Sequence, residues 1–414
     1  MDHRQNSSNS ELHGFAVWNR ATRYLDDAIE HLKEKFSILS VTKVNWTEDL
    51  AANNFNRLYG RDLRLKESRH AQVGTGPFFY IVIEDVNPVY KWHKNVSGKI
   101  ELVNINVMAS KKYLRRMTAD QFKYYIHSSN SRSEFNKDYS LIFGGKNRPI
   151  AGAEYSGSVE VWNQDLEGSH GWLSVKTALE FAGRIEKFVV LRDWEIIEAN
   201  PIEVDVLCKD PFYLAGLLNA RKITDHKSKY DFAISLKSGA KIKIDMRAVE
   251  DKYYPSSWAR HLLERAKREQ GIYRLDEADQ YFSQVYHELL HKPTLRDEKA
   301  KKLERLRNKI FEYQINEFSK EVAVSDLKGY MLANDYSAVK PADETVKFNR
   351  KNAYLLAPMI ENAALKVHQK IGRAGKSVVI GSAFRLMKNG FVKWSWKWIK
   401  DTRFGKFVKA KLVL

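Results

Sequence analysis

At 414 residues, with 43% hydrophobic and 12% aromatic residues, the chain has material for two or three packed domains. Its formal charge of +18 points to an anionic partner, whether nucleotide, nucleic acid, acidic glycan or membrane surface. One cysteine, Cys208, excludes an internal disulfide framework and a cysteine-based zinc knuckle, and suits a reducing cytoplasm.

The opening MDHRQNSSNSELHG is polar, without the apolar core of a signal peptide. No apolar run reaches the length of about 18 residues that a spanning helix needs. GFAVW (14–18) reads as a short strand. NRATRYLDDAIEHLKEKF follows as an amphipathic helix, with Leu25, Ile29 and Leu32 at helical spacing. ILSVTKV (38–44) alternates as a strand, and Thr47 is placed to cap the helix EDLAANNFNRLYG, with Gly60 beyond its end. GPFFYIVIED (76–85) is a further strand, NPVY turns, and KIELVNINV (99–107) is extended. This order predicts an α+β sandwich with helices against one sheet.

The run from about 15 to 144 resembles nucleoside diphosphate kinase. NFNRLYG stands where that family has its "FY" helix, and GPFFYIVIED where it has its "GP" strand. VNINVMASKKYLRRMT then leads into a basic loop, and YYIHSSNS (124–131) lies where the family has N-x-x-H-G-S-D-S. The resemblance implies that His127 is the phosphorylated histidine and that Asp138 orients its imidazole. It also implies that Arg115 or Arg116 touches phosphate and that Tyr59 lies in the nucleotide site. Tyr124, Ser128 and Asn130 replace the family's asparagine, glycine and aspartate, and its first-strand lysine has no counterpart. A neutral imidazole held by a carboxylate is a competent phosphoryl nucleophile.

GGKNRPIAGAEYSGS (144–158) reads as linker. A helix capped by Ser174 leads into FVVLRDWE, a buried strand, and then into a second strand bearing Glu203 and Asp205. Residues two apart on a strand share a face, so these two carboxylates point together. DPFYLAGLLNARKI is a helix with Asp210 at its start, and KYDFAISLKSGAKIKIDMRAV is a hairpin whose second arm carries Asp245. Two carboxylates on one strand and a third on a neighbour suit Mg²⁺ or Mn²⁺, hard cations that take oxygen ligands and substrate phosphates. Acidic residues on alternating strands equally suit a solvated face. The pattern resembles the nucleotidyltransferase superfamily, as in bacterial surface-polysaccharide proteins. That resemblance implies a metal site of Glu203, Asp205 and Asp245. LRDWE replaces the family's Gly-Ser turn, which leaves Arg192 to take the phosphate role.

HELLH (287–291) matches the zinc-protease pattern H-E-x-x-H. Lys292-Pro293 ends that helix at once, and Tyr281, Phe282, Val285 and Leu289 form a sufficient core stripe. DEKAKKLERLRNKIFEYQINEFSKEV is a mixed-charge helix bridging domains. IGRAGKS (371–377) lacks the first glycine of a phosphate loop, with Lys370 in its place. From Ser382 onward nine Lys or Arg residues are interleaved with Trp394, Trp396 and Trp398. Such a tail suits a membrane interface, a single-stranded nucleic acid or the protein body.

The expected fold class is multidomain α+β and α/β. It comprises a ferredoxin-like, nucleoside diphosphate kinase-like domain (14–145), a linker (146–171), a nucleotidyltransferase-like mixed-sheet domain (172–335) and a helical basic-aromatic region (336–414). The expected function is Mg²⁺-dependent nucleotidyl or phosphoryl transfer to a nucleotide or phosphorylated sugar in surface-polysaccharide assembly, from a nucleoside triphosphate or nucleotide sugar. The expected place is the cytoplasm, peripheral at the inner face of the membrane. A nucleic-acid-binding or RNA-modifying nucleotidyltransferase is the alternative, and a zinc protease the remote one.

Overall fold

Alternating apolar residues build two mixed sheets, and helical layers cover both. The computed structural model describes residues 10–59, 69–94, 100–119, 124–144, 155–193, 197, 199, 201–224, 228, 230–312, 314–315 and 317–356. In chain order the first part contains β1 (Glu11–Val17), α1 (Leu25–Lys33), β2 (Ser37–Val44), α2 (Glu48–Leu58), α3 (Arg69–Val73) and β3 (Phe78–Asp85). A two-stranded ribbon follows, β4 (Tyr90–Lys94) and β5 (Ile100–Asn104), then α4 (Ile105–Met117), β6 (Ile126–Ser128), α5 (Arg132–Phe143) and β7 (Val159–Trp162). The first sheet has the order β6-β1-β3-β2-β7, antiparallel except for the parallel pair β2 and β7. Along β1, Phe15 and Val17 pack with Leu32, Val107 and Leu114 beneath α1 and α4, while Ala16 faces the opposite core with Phe55 and Phe135.

The second part contains α6 (Val175–Ile185), β8 (Val189–Val190), β9 (Glu203–Cys208), α7 (Pro211–Leu217), β10 (Arg221–Lys222), β11 (Asp231–Ser235) and β12 (Lys241–Ala248). It continues with α8 (Ser256–Arg265), β13 (Lys267–Glu269), β14 (Ile272–Arg274), α9 (Glu277–Leu290), α10 (Asp297–Ile310), α11 (Lys320–Ala333) and α12 (Arg350–Leu356). Its sheet has the order β10-β11-β12-β9-β8-β14-β13, with β12 parallel to β9 and antiparallel to β11. Val204, Val206 and Cys208 face the core shared with the first sheet, and Leu207 faces a separate core built by α8, α9 and α11. Cys208 is buried, and burial pushes its thiol pKa well up, as an inert core residue requires.

Several expectations change. The segment read as linker contributes β7 to the first sheet, and Asp165 within it accepts hydrogen bonds from Thr47 and Asn54. Thr47 stands at the cap position of α2, but its hydroxyl goes to Asp165 instead of the helix. The strand expected over 99–107 stops at Asn104, whose side chain caps α4 through the amides of Asn106 and Val107. Just past the expected boundary at 335, Tyr336 stacks on Trp258 at 5.3 Å, and Leu356 of α12 joins the same apolar core. The long charged helix is two helices, α10 and α11, joined by an Arg307–Asp326 ion pair. Ser174 and Asp210 cap α6 and α7 as expected. Gly60, IGRAGKS and the basic-aromatic tail lie outside the described residues. Among the described residues, no helix is long and apolar enough to cross a membrane.

The two parts are tied by Arg57 on α2. Its guanidinium is buried and donates to Glu167 O at 2.7 Å, Ser169 Oγ at 2.8 Å, Gly216 O at 2.9 Å and Leu217 O at 3.2 Å. Burial pulls its pKa down to about 9, so it stays charged at neutral pH. Replacing it with an apolar chain orphans several buried carbonyls. Arg57→Met is expected to lower the unfolding free energy by about 3 kcal/mol, read from urea denaturation of the full chain.

Candidate functional site

Two clusters of titratable groups stand apart. In the first, β6 carries His127 and α5 carries Asp138, one turn beyond Glu134. His127 Nε2 lies 2.9 Å from Asp138 Oδ2 and 3.9 Å from Glu134 Oε1. Lys137 reaches the other Asp138 oxygen at 3.0 Å and donates to Leu58 O at 2.6 Å. Burial opposes ionisation of Asp138, but Lys137 and then His127 outweigh it and hold its carboxyl below the ordinary range. The Tyr59 ring covers His127 at 4.8 Å, and its hydroxyl accepts from Trp18 Nε1 at 3.0 Å. Tyr59 thus belongs to an aromatic cluster with Trp18 and Phe55. Of the two candidate arginines, Arg115 turns toward this cluster and donates to Ile126 O at 2.9 Å, whereas Arg116 is exposed. His127 is itself 4% exposed, so the imidazole is enclosed by its own neighbours.

The second cluster is built by strand register. Asp245 on β12 pairs with Asp205 on the parallel strand β9, and Asp231 on β11 pairs with Asp245 from the other side. A row of three carboxylates therefore crosses three adjacent strands, with Glu203 beside it. Ligand atoms of Glu203, Asp205 and Asp245 all lie within 4.8 Å of one another. Like charges directly opposite one another repel. The sequence K-x-K-x-D-x-R on β12 answers this, because alternation places Lys243 and Arg247 on the face of Asp245. Lys243 lies 2.8 Å from Glu203 and 3.5 Å from Asp231, and Arg247 lies 2.9 Å from Asp245. Arg192 grips Asp205 through two bonds, Nε to Oδ2 at 3.0 Å and Nη2 to Oδ1 at 2.5 Å. The next residue, Asp193, has φ of 54°, a left-handed conformation that Asp tolerates, just beyond the point where Arg192 meets Asp205.

These groups line a cavity of about 600 Å³. Its far wall comes from α9 and the segment after it: His287, Glu288, His291, Lys292, Arg296 and Lys299. The HELLH stretch therefore shares the cavity of the acidic row, but not as a zinc pair. His291 Nδ1 faces Lys347 O at 3.1 Å and Nε2 faces Tyr253 O at 2.9 Å, so neither ring nitrogen is offered to a metal. His287 Nδ1 contacts the Tyr253 hydroxyl. Asp231, Lys243 and Arg247 escaped the sequence reading. Alternation on β12 was the available signal for the two cations, whereas Asp231 needed the register.

Oxygen donors at this spacing suit a hard divalent cation, and Asp245 Oδ1 is buried without a hydrogen-bond partner. Each carboxylate also has a cationic neighbour, so a metal ion competes with Arg192, Lys243 and Arg247 for these oxygens. No family model and no curated protein matches the chain. One solved structure it is similar to is an orthorhombic crystal form of the Aquifex aeolicus nucleoside diphosphate kinase. That likeness has 16% identity over 33% of this chain and 96% of that chain, at a TM-score of 0.22, and carries no further weight.

Burial pushes the Asp245 carboxyl up to about 6, with Arg247 opposing and Asp205 and Asp231 adding to the rise. Its protonated form is therefore favoured by the fold, and that stability is lost as pH rises through about 6. Asp245→Asn removes the ionisation. Without divalent ions, its stability relative to the parent chain is expected to rise by on the order of 2–3 kcal/mol between pH 4 and pH 8, read from urea midpoints at each pH.

Proposed function

We propose that the second cavity is a Mg²⁺- or Mn²⁺-dependent nucleotidyl- or phosphotransfer site, taking a nucleoside triphosphate or nucleotide sugar as donor. The observation that carries this reading is the in-register pair Asp205–Asp245, flanked by Glu203 and opening onto a basic wall. Glu203, Asp205 and Asp245 would hold the metal, which when bound neutralises charge on phosphate oxygens. Arg192, Lys243 and Arg247, released from the carboxylates, would turn to those phosphates, with Lys292, Arg296 and Lys299 holding the remainder of the chain of charges. The mixed sheet around β9 and β12 is read as nucleotidyltransferase-like. A phosphorylated sugar acceptor in surface-polysaccharide assembly, at the cytoplasmic face of the membrane, is the setting this reading favours.

A second reading concerns the first cluster. The 2.9 Å contact between His127 and Asp138 favours a histidine held for phosphoryl transfer or nucleotide binding. The antiparallel order β6-β1-β3-β2, with its helices, supports a ferredoxin-like, nucleoside diphosphate kinase-like reading of this part.

Asp205→Ala is expected to abolish the thermal stabilisation that Mg²⁺ with a nucleoside triphosphate confers, and to reduce transfer at least about 100-fold, with the circular-dichroism spectrum unchanged. Retained transfer in that variant would rule the site out. Incubation with γ-labelled nucleoside triphosphate is expected to leave acid-labile phosphate that His127→Asn lacks. No label on the parent chain excludes phosphoryl transfer through His127.

A further inference from the structure

The far wall of the cavity contains a group that the metal reading does not use. Glu288 lines the cavity and is 6% exposed. Among the described residues its carboxylate forms no hydrogen bond. Oε2 is buried without a partner, and Oε1 lies 3.9 Å from His287 Nε2, beyond hydrogen-bond length. A buried carboxyl oxygen without a hydrogen bond is costly, and the neighbouring Val285, Leu289 and Leu290 show that apolar chains suit this helix. A feature that works against stability at a cavity wall calls for a ligand.

His287 defines what the ligand offers. The Tyr253 hydroxyl lies against His287 Nδ1, and burial pushes the Tyr253 pKa well up, so this phenol stays protonated. That contact engages Nδ1 and leaves Nε2, the nitrogen nearest Glu288, to meet a ligand. The terminal torsion of a glutamate is broad, so either oxygen can turn toward the cavity. A ring nitrogen and a carboxyl group then stand side by side. Hydroxyls, which both donate and accept, match the nitrogen in either tautomer and the carboxyl oxygens as well. An ammonium group meets Arg192 and Arg247, whose charges already act on His287.

We infer that His287 and Glu288 form the hydroxyl-binding half of this cavity, opposite the acidic row, and that the acceptor is a polyhydroxylated molecule such as a sugar or sugar alcohol. This rests on the transfer reading above for the word acceptor, but the binding claim stands on its own geometry. A cavity of about 600 Å³ falls within the range of small-molecule sites.

The test is calorimetric titration and thermal shift of the full chain with ribitol, glucose and ethanolamine, each with and without Mg²⁺. Ribitol or glucose is expected to bind, and ethanolamine is not. Glu288→Leu and Glu288→Gln are each expected to weaken polyol binding at least about tenfold, while the Mg²⁺ response remains. Both variants should melt at or above the temperature of the parent chain without ligand, because a carboxyl group without a hydrogen-bond partner has gone; replacement of a merely structural Glu288 would lower it. Asp205→Ala should lose the Mg²⁺ response and keep the polyol response. No polyol binding to the parent chain, equal binding by both Glu288 variants, or binding of ethanolamine in place of the polyols overturns the inference. Polyol binding without any Mg²⁺ response in the parent chain would instead sink the transfer reading and leave this one standing.

Discussion

The Arg57 guanidinium holds the two halves of the molecule in one arrangement. An arginine so deeply buried needs its donors filled, and three backbone carbonyls with one serine hydroxyl do this. Those acceptors come from two separate places, the 167–169 turn and the end of α7. The turn follows β7, the fifth strand of the first sheet, and α7 follows β9, which carries Glu203 and Asp205. Lys137 adds a second tie within the first part, from α5 to the carbonyl of Leu58 beside Arg57. The apolar core confirms the union, since Phe55 and Phe135 belong to the same cluster as Val204 and Ile244.

On the other side of the second sheet, alternation decides which chemistry meets which. Val204 and Val206 point into the shared core, so Glu203 and Asp205 must point toward the α8–α9 layer. The same rule puts Ile244 and Met246 inside and Lys243, Asp245 and Arg247 outside. Helix α9 buries Tyr281, Val285 and Leu289 in its own core, and the histidines one turn apart face the acidic row across a cavity. The row persists because cations are interleaved with it. Lys243 and Arg247 come from the same strand and Arg192 from the next loop, so carboxylates and cations form one lattice of opposite charge. The first cluster is more closed: His127 and Asp138 are enclosed by Lys137 and the aromatic rings, and this favours a fixed imidazole over an open one.

Local signals in the chain were good guides to elements and poor guides to their ends. Strands β2, β3 and β9 and helices α6 and α9 follow from apolar periodicity, and Ser174 and Asp210 mark helix starts with side chains that do cap. Thr47 bore the same signature, but Asp165 competed for its hydroxyl. Asn104 ended a strand that hydrophobicity alone would have continued. The Gly, Pro and Ser content of 144–158 reads as linker, yet Val159–Trp162, just beyond it, pair with the edge of β2 as a strand. Composition registers turn formers; it does not register an available sheet edge.

The sequence by itself determined that Glu203 and Asp205 share a face, that Lys243, Asp245 and Arg247 share one, and that His287 and His291 lie one turn apart, because each statement depends on the repeat of a single strand or helix. It also placed His127 eleven residues before Asp138, close enough for a strand and the following helix to bring them together. Only the tertiary structure decided that β12 lies parallel to β9 with Asp245 level with Asp205, that Asp231 completes the row, and that HELLH closes the same cavity instead of holding zinc. Register and the packing of a distant helix are set by the burial of whole faces, a property of several elements at once, and no single stretch of the chain carries it.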